Sequence, residues 1–281
     1  MASARPVNDL EVVEVPLKTE GGAFSLDVEK VLATLAADPS IKLVFLCSPG
    51  NPTGTLLDLG DMERILNFEQ WHGLVVVDEA YIDFAEEEIH MGKRTQAVSA
   101  VELTKSYKNV VVTQTLSKAY GLAAIRLGIA YAQPALVQIL NNTKAPYNIG
   151  VPPPTWRRSP DGRGPVEDAR ERADADLAPR LARRCAQRLA GKGGHPGRGA
   201  ILGANEANFV LVQLLDDAGR AERAAVRDRV QAHGRGAAGG GEEPVKGLGC
   251  DGCLRITVGT EEENLRVIEL MRQLLRDGKW S

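Results

Sequence analysis

Apolar runs and helix-period segments alternate along the first half of the chain. Uninterrupted apolar runs of four to six residues are typical of strands that are buried on both faces of a parallel sheet. Such runs span residues 42–47, 74–77, 110–113 and 127–131. Segments with helical periodicity at 26–35 and 61–71 separate the first of these runs. The alternation predicts an α/β architecture built on a mainly parallel sheet.

The pattern changes abruptly after residue 150. Residues 151–200 contain no Ile, Phe, Tyr or Met and are rich in Arg, Pro, Gly and Ala. Such a segment has few side chains with which to bury a core, so we predict low order for it. Its composition favours the hypothesis that it is translated out of frame. The other two frames of the coding DNA test this idea.

Ordered structure is predicted again from residue 201. Strand-like runs at 209–215 and 254–258 flank a helical segment at 221–232. The spacing of Thr260 and Glu263 is that of a capping box, which predicts the start of a final helix. We therefore divide the chain into a large domain (1–150), the low-order segment (151–200) and a small C-terminal α/β domain (201–281).

Composition and charge favour small molecules over nucleic acid and membranes as binding partners of this protein. The chain has 43% hydrophobic and 25% charged residues, with a formal net charge of -3. This balance gives no general attraction to nucleic acid or to anionic lipid, and no stretch reaches the length of a membrane span. The first ten residues have no apolar segment typical of a secretory leader. We expect a cytoplasmic protein that binds small molecules.

The cysteines do not form a recognisable framework. Four cysteines in 281 residues are too few for a disulfide scaffold. Cys250 and Cys253 form a C-x-x-C pair, but the sequence has no second pair and no paired histidines to complete a zinc site. Free thiols in a turn are favoured over metal or redox use, and no metal site is predicted.

Polar motifs follow the predicted strands at their carboxyl ends, where α/β sheets bind ligands. The motifs are S-P-G-N-P-T-G at 48–54, D-E-A-Y at 78–81, T-L-S-K at 115–118 with Arg126 beyond it, and Arg255 within the last strand. Each one alone has a simpler explanation, as a turn, a helix-terminal acid or a surface lysine. Together they supply what pyridoxal 5'-phosphate requires: a lysine for its aldehyde, an acid for its ring nitrogen, donors for its phenolic oxygen and a cationic cradle for its phosphate.

The same strings carry a resemblance to a known family. N-P-T-G, D-E-A-Y, T-L-S-K-A-Y-G-L-A-A-I-R-L-G and R-I-T-V-G, in this order, resemble fold-type I aminotransferases and, within them, the fungal histidinol-phosphate aminotransferases. The similarity covers residues 8–150 and returns at 201–216 and 245–277. It implies a fold-type I large domain, here truncated, with a small C-terminal α/β domain. It also implies that a phosphate-binding loop and a ring-stacking aromatic residue of the family precede the part present here.

The resemblance implies a role for each matched residue. Lys118 would bind the cofactor aldehyde and transfer protons, and Asp78 would face the ring nitrogen. Asn51 and Tyr81 would bind the phenolic oxygen, with Tyr81 at the catalytic centre. Thr115, Ser117 and Arg126 would hold the phosphate. Arg255 would bind the α-carboxylate of glutamate with a bidentate fork, which lysine cannot form.

The substrates and assembly are likewise implied by the resemblance. They are an amino acid, a phosphorylated amino alcohol and a 2-oxo acid, namely glutamate, histidinol phosphate and their keto partners in histidine biosynthesis. A homodimer is implied in the same way. Three alternatives stay open: an aromatic aminotransferase, a threonine-phosphate decarboxylase, and a non-catalytic remnant that keeps the motifs.

Overall fold

The computed structural model describes residues 10–90, 98–146, 149–150, 201–204, 206–213 and 249–276. The predicted low-order segment at 151–200 and the predicted helix at 221–232 lie outside the described residues. The strands are β1 (Lys18–Glu20), β2 (Ala23–Ser25), β3 (Leu43–Cys47), β4 (Leu74–Asp78), β5 (Val110–Thr115), β6 (Gly128–Ala132), β7 (Ile201–Leu202), β8 (Phe209–Gln213) and β9 (Cys253–Thr257). The α-helices are α1 (Val28–Ala37), α2 (Leu59–Leu66), α3 (Ile82–His90), α4 (Pro134–Thr143) and α5 (Glu261–Arg276), and short 3-10 helices span Ala100–Lys105 and Ala123–Ile125.

The larger sheet has the strand order β3-β4-β5-β6. β3, β4 and β5 are parallel, and β6 runs antiparallel to β5. The predicted α/β architecture with a mainly parallel sheet is therefore confirmed. The four apolar runs in the first half of the chain form these four strands, with ends shifted by one or two residues.

One face of this sheet carries the core of the protein. Val75, Val77, Val110 and Val112 are 0% exposed, because α1, α2 and the 3-10 helix at Ala100–Lys105 pack over them. Each of these three helices begins at a residue whose side chain accepts a hydrogen bond from an N–H of the first turn. The residue is Asp27 for α1, Asp58 for α2 and Ser99 for the 3-10 helix.

The opposite face of β3 departs from the sequence prediction. Leu43 is 42% exposed and Phe45 is 48% exposed, whereas Leu46 is buried. The prediction that this strand is buried on both faces is therefore wrong in the described structure. β3 is an edge strand of the sheet, and among the described residues its apolar cover lies on the side that faces the helices.

The smaller sheet is antiparallel, with the order β7-β8-β9. Val210 and Val212 on one face of β8 pack with Val267 of α5, while Leu211 on the other face packs with Phe24 of β2. The predicted capping box of α5 is confirmed: Thr260 N–H donates to the Glu263 carboxylate at 2.8 Å, and Glu263 N–H donates to the Thr260 hydroxyl at 3.3 Å. None of the helices in the described ranges combines the length and the apolar character that a membrane crossing needs.

Candidate functional site

Asp78 lies at the carboxyl ends of the three parallel strands. It is the last residue of β4 and pairs in register with Cys47 of β3 and Thr113 of β5. Its carboxylate is exposed and accepts a hydrogen bond of 3.1 Å from the N–H of Ala80. The motif that follows the strand thus keeps this carboxylate at the edge where an α/β sheet binds ligands.

The turn at 48–54 is closed by its own backbone. Gly50 N–H donates to the Thr55 carbonyl at 2.9 Å, and Gly54 N–H donates to the Gly50 carbonyl at 2.7 Å. The buried Ser48 joins the turn to β4 through its N–H, which donates to the Asp78 carbonyl at 2.9 Å. Asn51 is left exposed at the tip of the turn.

Thr115, the last residue of β5, and Ser117 form a hydroxyl pair at the end of this strand. The Thr115 hydroxyl donates to the Ser117 hydroxyl at 2.9 Å, and Ser117 N–H donates to the Thr115 hydroxyl at 3.2 Å. Arg126 lies at the end of the loop between β5 and β6 and has a left-handed φ of 53°. Its exposed guanidinium donates to the Ala123 carbonyl at 3.2 Å.

Lys118 lies within the same loop, and its side chain reaches the segment that follows Asp78. Its Nζ is 5.3 Å from the centroid of the Tyr81 ring, and its side chain is exposed. Tyr81 is 6% exposed and comes three residues after Asp78. Lys118 therefore contacts the segment that directly follows Asp78, at the carboxyl-terminal edge of the parallel strands.

Arg255 approaches from the smaller sheet. Its Nη1 donates to the Asn51 side-chain oxygen at 3.4 Å. Its Cζ lies 4.8 Å from the centroid of the Phe209 ring, and that ring meets Tyr81 edge to face at 5.1 Å. The structure thus brings Arg255 to Asn51, and Lys118 to Tyr81. The described side-chain hydrogen bonds of Asp78 and Arg126 stay within their own loops, to Ala80 N–H and to the Ala123 carbonyl.

Sequence analysis missed the role of Glu79 beside Asp78. Glu79 is 1% exposed and accepts hydrogen bonds from the Ser99 hydroxyl (2.8 Å), Ala100 N–H (2.5 Å) and the Gln114 amide (2.8 Å). Burial raises the pKa of this carboxyl, although these hydrogen bonds oppose the rise. The Glu79 carboxylate therefore ties β4 to the end of β5 next to Thr115.

The C-x-x-C pair packs into a separate apolar cluster at the start of β9. Cys250 and Cys253 are free, buried thiols that pack with Phe24 and Leu211. Burial raises the pKa of Cys253 to about 12 and also raises the pKa of Cys250. A neutral, buried thiol is a poor nucleophile.

The family model of aminotransferase class I and II matches residues 5–270. The chain belongs to this aminotransferase family. It is 38% identical over 279 residues to the histidinol-phosphate aminotransferase of Schizosaccharomyces pombe, covering 96% of this chain and 67% of that protein. It is 37% identical over 273 residues to the Saccharomyces cerevisiae enzyme of the same name, covering 96% of this chain and 65% of that protein.

A solved aminotransferase has the same fold. The histidinol-phosphate aminotransferase of Sinorhizobium meliloti, determined in complex with pyridoxal-5'-phosphate, matches with a TM-score of 0.65 and 24% identity, covering 95% of this chain and 65% of that chain. This likeness confirms the predicted fold class. The chain spans about two thirds of the length of the curated aminotransferases that it matches.

Proposed function

We propose that this chain is a pyridoxal-phosphate-dependent histidinol-phosphate aminotransferase. It would move an amino group between glutamate and imidazole acetol phosphate, giving 2-oxoglutarate and histidinol phosphate. The names of the yeast relatives support the activity, and the Sinorhizobium structure supports the cofactor. The observation that carries the proposal is the position of Lys118 Nζ over Tyr81, three residues from Asp78.

The donor set fits pyridoxal phosphate chemically. A primary amine is exposed beside the phenol of Tyr81, and a carboxylate is exposed at the end of β4. A carboxamide is exposed on the turn that Ser48 joins to the Asp78 carbonyl. The hydroxyl groups of Thr115 and Ser117 and the guanidinium of Arg126 lie at the end of β5 and in the loop that also carries the amine. Amine, carboxylate, hydrogen-bond donors and cationic cradle are the groups that this cofactor needs.

When bound, pyridoxal phosphate supplies an aldehyde that captures amines and a ring that accepts electrons from the substrate α-carbon. Lys118 would be the amine that holds the aldehyde and that then carries a proton to and from the α-carbon. Asp78 would hold the proton on the ring nitrogen, because an adjacent negative charge favours the cationic form. Asn51 and Tyr81 would donate to the phenolic oxygen.

The remaining residues bind anionic groups. Thr115, Ser117 and Arg126 would hold the cofactor phosphate, Arg126 through charge-assisted hydrogen bonds. Arg255 binds the glutamate α-carboxylate with its planar fork. Its contact with Asn51 brings this carboxylate site next to the phenolic oxygen site.

Three further statements are part of the proposal. The chain divides into a large domain at 1–150 and a small domain at 201–281, and the segment between them, 151–200, lies outside the described residues. The enzyme acts as a homodimer in the cytoplasm. Its substrates are small molecules, and it binds neither nucleic acid nor membranes, in line with its net charge of -3.

Absorbance of the purified chain with added pyridoxal phosphate tests the proposal. We expect a visible band that borohydride abolishes and that Lys118→Ala lacks, while the exposed control Lys144→Ala retains it. Glutamate should then bleach the band in a half-reaction, and imidazole acetol phosphate should restore it. A parent protein without the band would contradict the proposal and favour a non-catalytic remnant.

Substrate choice separates the remaining alternatives. The band should be bleached faster by histidinol phosphate than by phenylalanine or tyrosine, and phosphothreonine should release no carbon dioxide. Faster bleaching by the aromatic amino acids would favour an aromatic aminotransferase. Release of carbon dioxide would favour a decarboxylase.

A further inference from the structure

Phe209 links the two ends of the candidate site. It is the first residue of β8 and is 1% exposed. Its ring meets Tyr81 edge to face, with centroids 5.1 Å apart and an interplanar angle of 88°. The Arg255 guanidinium lies 4.8 Å from the centroid of the same ring. One buried ring therefore touches both the residue next to the lysine and the proposed carboxylate-binding arginine.

The register of the smaller sheet explains why Arg255 reaches this ring. Leu211 pairs with Arg255, and Phe209 pairs with Thr257. Residues that pair across antiparallel strands, and residues two apart on one strand, project from the same face. Phe209 is thus the diagonal neighbour of Arg255, and the long arginine side chain crosses the sheet face toward the ring.

A ring face holds a guanidinium differently from a carboxylate or an amide. The attraction between the cation and the π face uses none of the N–H groups of the arginine. A carboxylate that binds in a bidentate manner needs two of those N–H groups. A phenylalanine can therefore fix the position of Arg255 without competing with the substrate for its donors.

From these contacts we infer that Phe209 is a positioning residue for the recognition of carboxylate substrates by Arg255. The inference deepens the proposed function and rests on the role assigned there to Arg255. The ring fixes the position of the guanidinium over its face, and Asn51 orients one of its nitrogens. Tyr81, which follows β4 of the larger sheet, packs edge to face with the same ring and keeps Phe209 in place.

A competing explanation is that Phe209 only fills the core. It belongs to an apolar cluster with Tyr81, Phe84 and Ala207. Phe84 provides a matched control, because it is a buried phenylalanine of the same cluster. The ring on which Arg255 stacks is that of Phe209. If the ring mattered only as apolar volume, Phe84→Leu and Phe209→Leu would have similar effects.

The test compares the affinity for maleate, an unreactive dicarboxylate, in the parent, Phe209→Leu and Phe84→Leu. Titration calorimetry on the cofactor-free and the cofactor-loaded chain gives the dissociation constant. A cation–π contact contributes about 0.5–2 kcal/mol, so Phe209→Leu should weaken maleate binding roughly twofold to thirtyfold. Phe84→Leu should change it less than about twofold. In an Arg255→Gln background, Phe209→Leu should have no further effect.

The outcomes distinguish this inference from the proposed function. Unchanged maleate affinity in Phe209→Leu would overturn the inference, as would equal weakening by Phe84→Leu, or a parent chain that binds no maleate. A missing visible band in the parent would overturn the cofactor proposal alone, because the cofactor-free titration still compares the variants. If Phe209→Leu fails to fold, Phe209→Met fills similar space without a ring and gives the same comparison.

Discussion

The Glu206 carboxylate accepts a hydrogen bond of 2.7 Å from the backbone N–H of Leu56, which lies 150 positions away in the chain. Two backbone bonds run beside it: Ala204 N–H donates to the Thr53 carbonyl at 3.2 Å, and Glu206 N–H donates to the Gly54 carbonyl at 3.1 Å. These bonds join the Asn51 turn to the segment that enters β8. The two sides of the candidate site are therefore fastened by main-chain contacts as well as by side chains.

Because these bonds hold the two segments together, we predict that replacing Gly203 by alanine strongly lowers the free energy of unfolding. The residue has a φ of 73°, and an added Cβ would overlap the Thr53 carbonyl. Gly21 has a similar φ of 58° but nothing within 4 Å of an added Cβ. Gly21→Ala should reduce the free energy of unfolding by about 1–2 kcal/mol, the cost of a left-handed alanine. Gly203→Ala should cost at least about 3 kcal/mol, since a backbone carbonyl must also move. Urea unfolding measures both, and equal losses would contradict the prediction.

Glu79 predicts a pH-dependent contribution to stability. Burial raises its pKa in the folded state above the ordinary 4.5, so the folded state binds the proton more tightly than the unfolded state does. Its contribution is fully present below pH 4.5 and is lost as the pH rises through the raised pKa. Relative to Glu79→Gln, which does not titrate, the parent should therefore lose unfolding free energy as the pH increases. A constant difference between the two proteins over this window would refute the prediction.

The buried C-x-x-C thiols should resist alkylation. A pKa of about 12 leaves almost no Cys253 thiolate at neutral pH, and burial also excludes the reagent. We expect iodoacetamide to leave Cys250 and Cys253 unlabelled in the folded chain and to label both in urea, as measured by peptide mass spectrometry. Labelling of the folded chain at the rate of the unfolded chain would point instead to an accessible, reactive pair.

Asp78→Asn should separate cofactor capture from catalysis. The lysine is unchanged, so the visible band should form. The half-reaction with glutamate should slow by roughly tenfold to a hundredfold or more, because a hydrogen bond to a charged group, worth about 1.5–3 kcal/mol, is lost at the ring nitrogen. Single-turnover absorbance measures the rate. An Asn variant as fast as the parent would remove Asp78 from the proposed catalytic centre.

The sequence was sufficient to predict the four strands of the larger sheet and the motifs that follow them. Parallel strands bring their carboxyl ends to one edge, so the order of strands and motifs placed Asp78 at this edge without knowledge of distances. The direction of β6 could not be predicted in this way, because its apolar run is also compatible with a parallel strand. The exposed face of β3 was missed for a similar reason: the run predicts apolar side chains on both faces, not what covers them.

The contacts of Glu79 and Phe209 were beyond sequence analysis for a different reason. Glu79 acquires Gln114 as a partner 35 positions away, and Asn51 meets Arg255 at a separation of 204 positions. A single sequence has no local pattern that encodes such pairs. Glu79 therefore received no role beyond that of a possible helix-terminal acid within the D-E-A-Y motif, and Phe209 was assigned only to a strand.

The separation between Asn51 and Arg255 also has a consequence during synthesis. A ribosome adds about 5–20 residues per second, so roughly 6–24 seconds pass between translation of the last strand of the larger sheet and translation of β9. During this interval the nascent chain already contains Lys118 and Asp78, but not the arginine that would anchor a substrate. Through this interval the proposed cofactor-binding amine therefore precedes the proposed carboxylate-binding guanidinium on the ribosome.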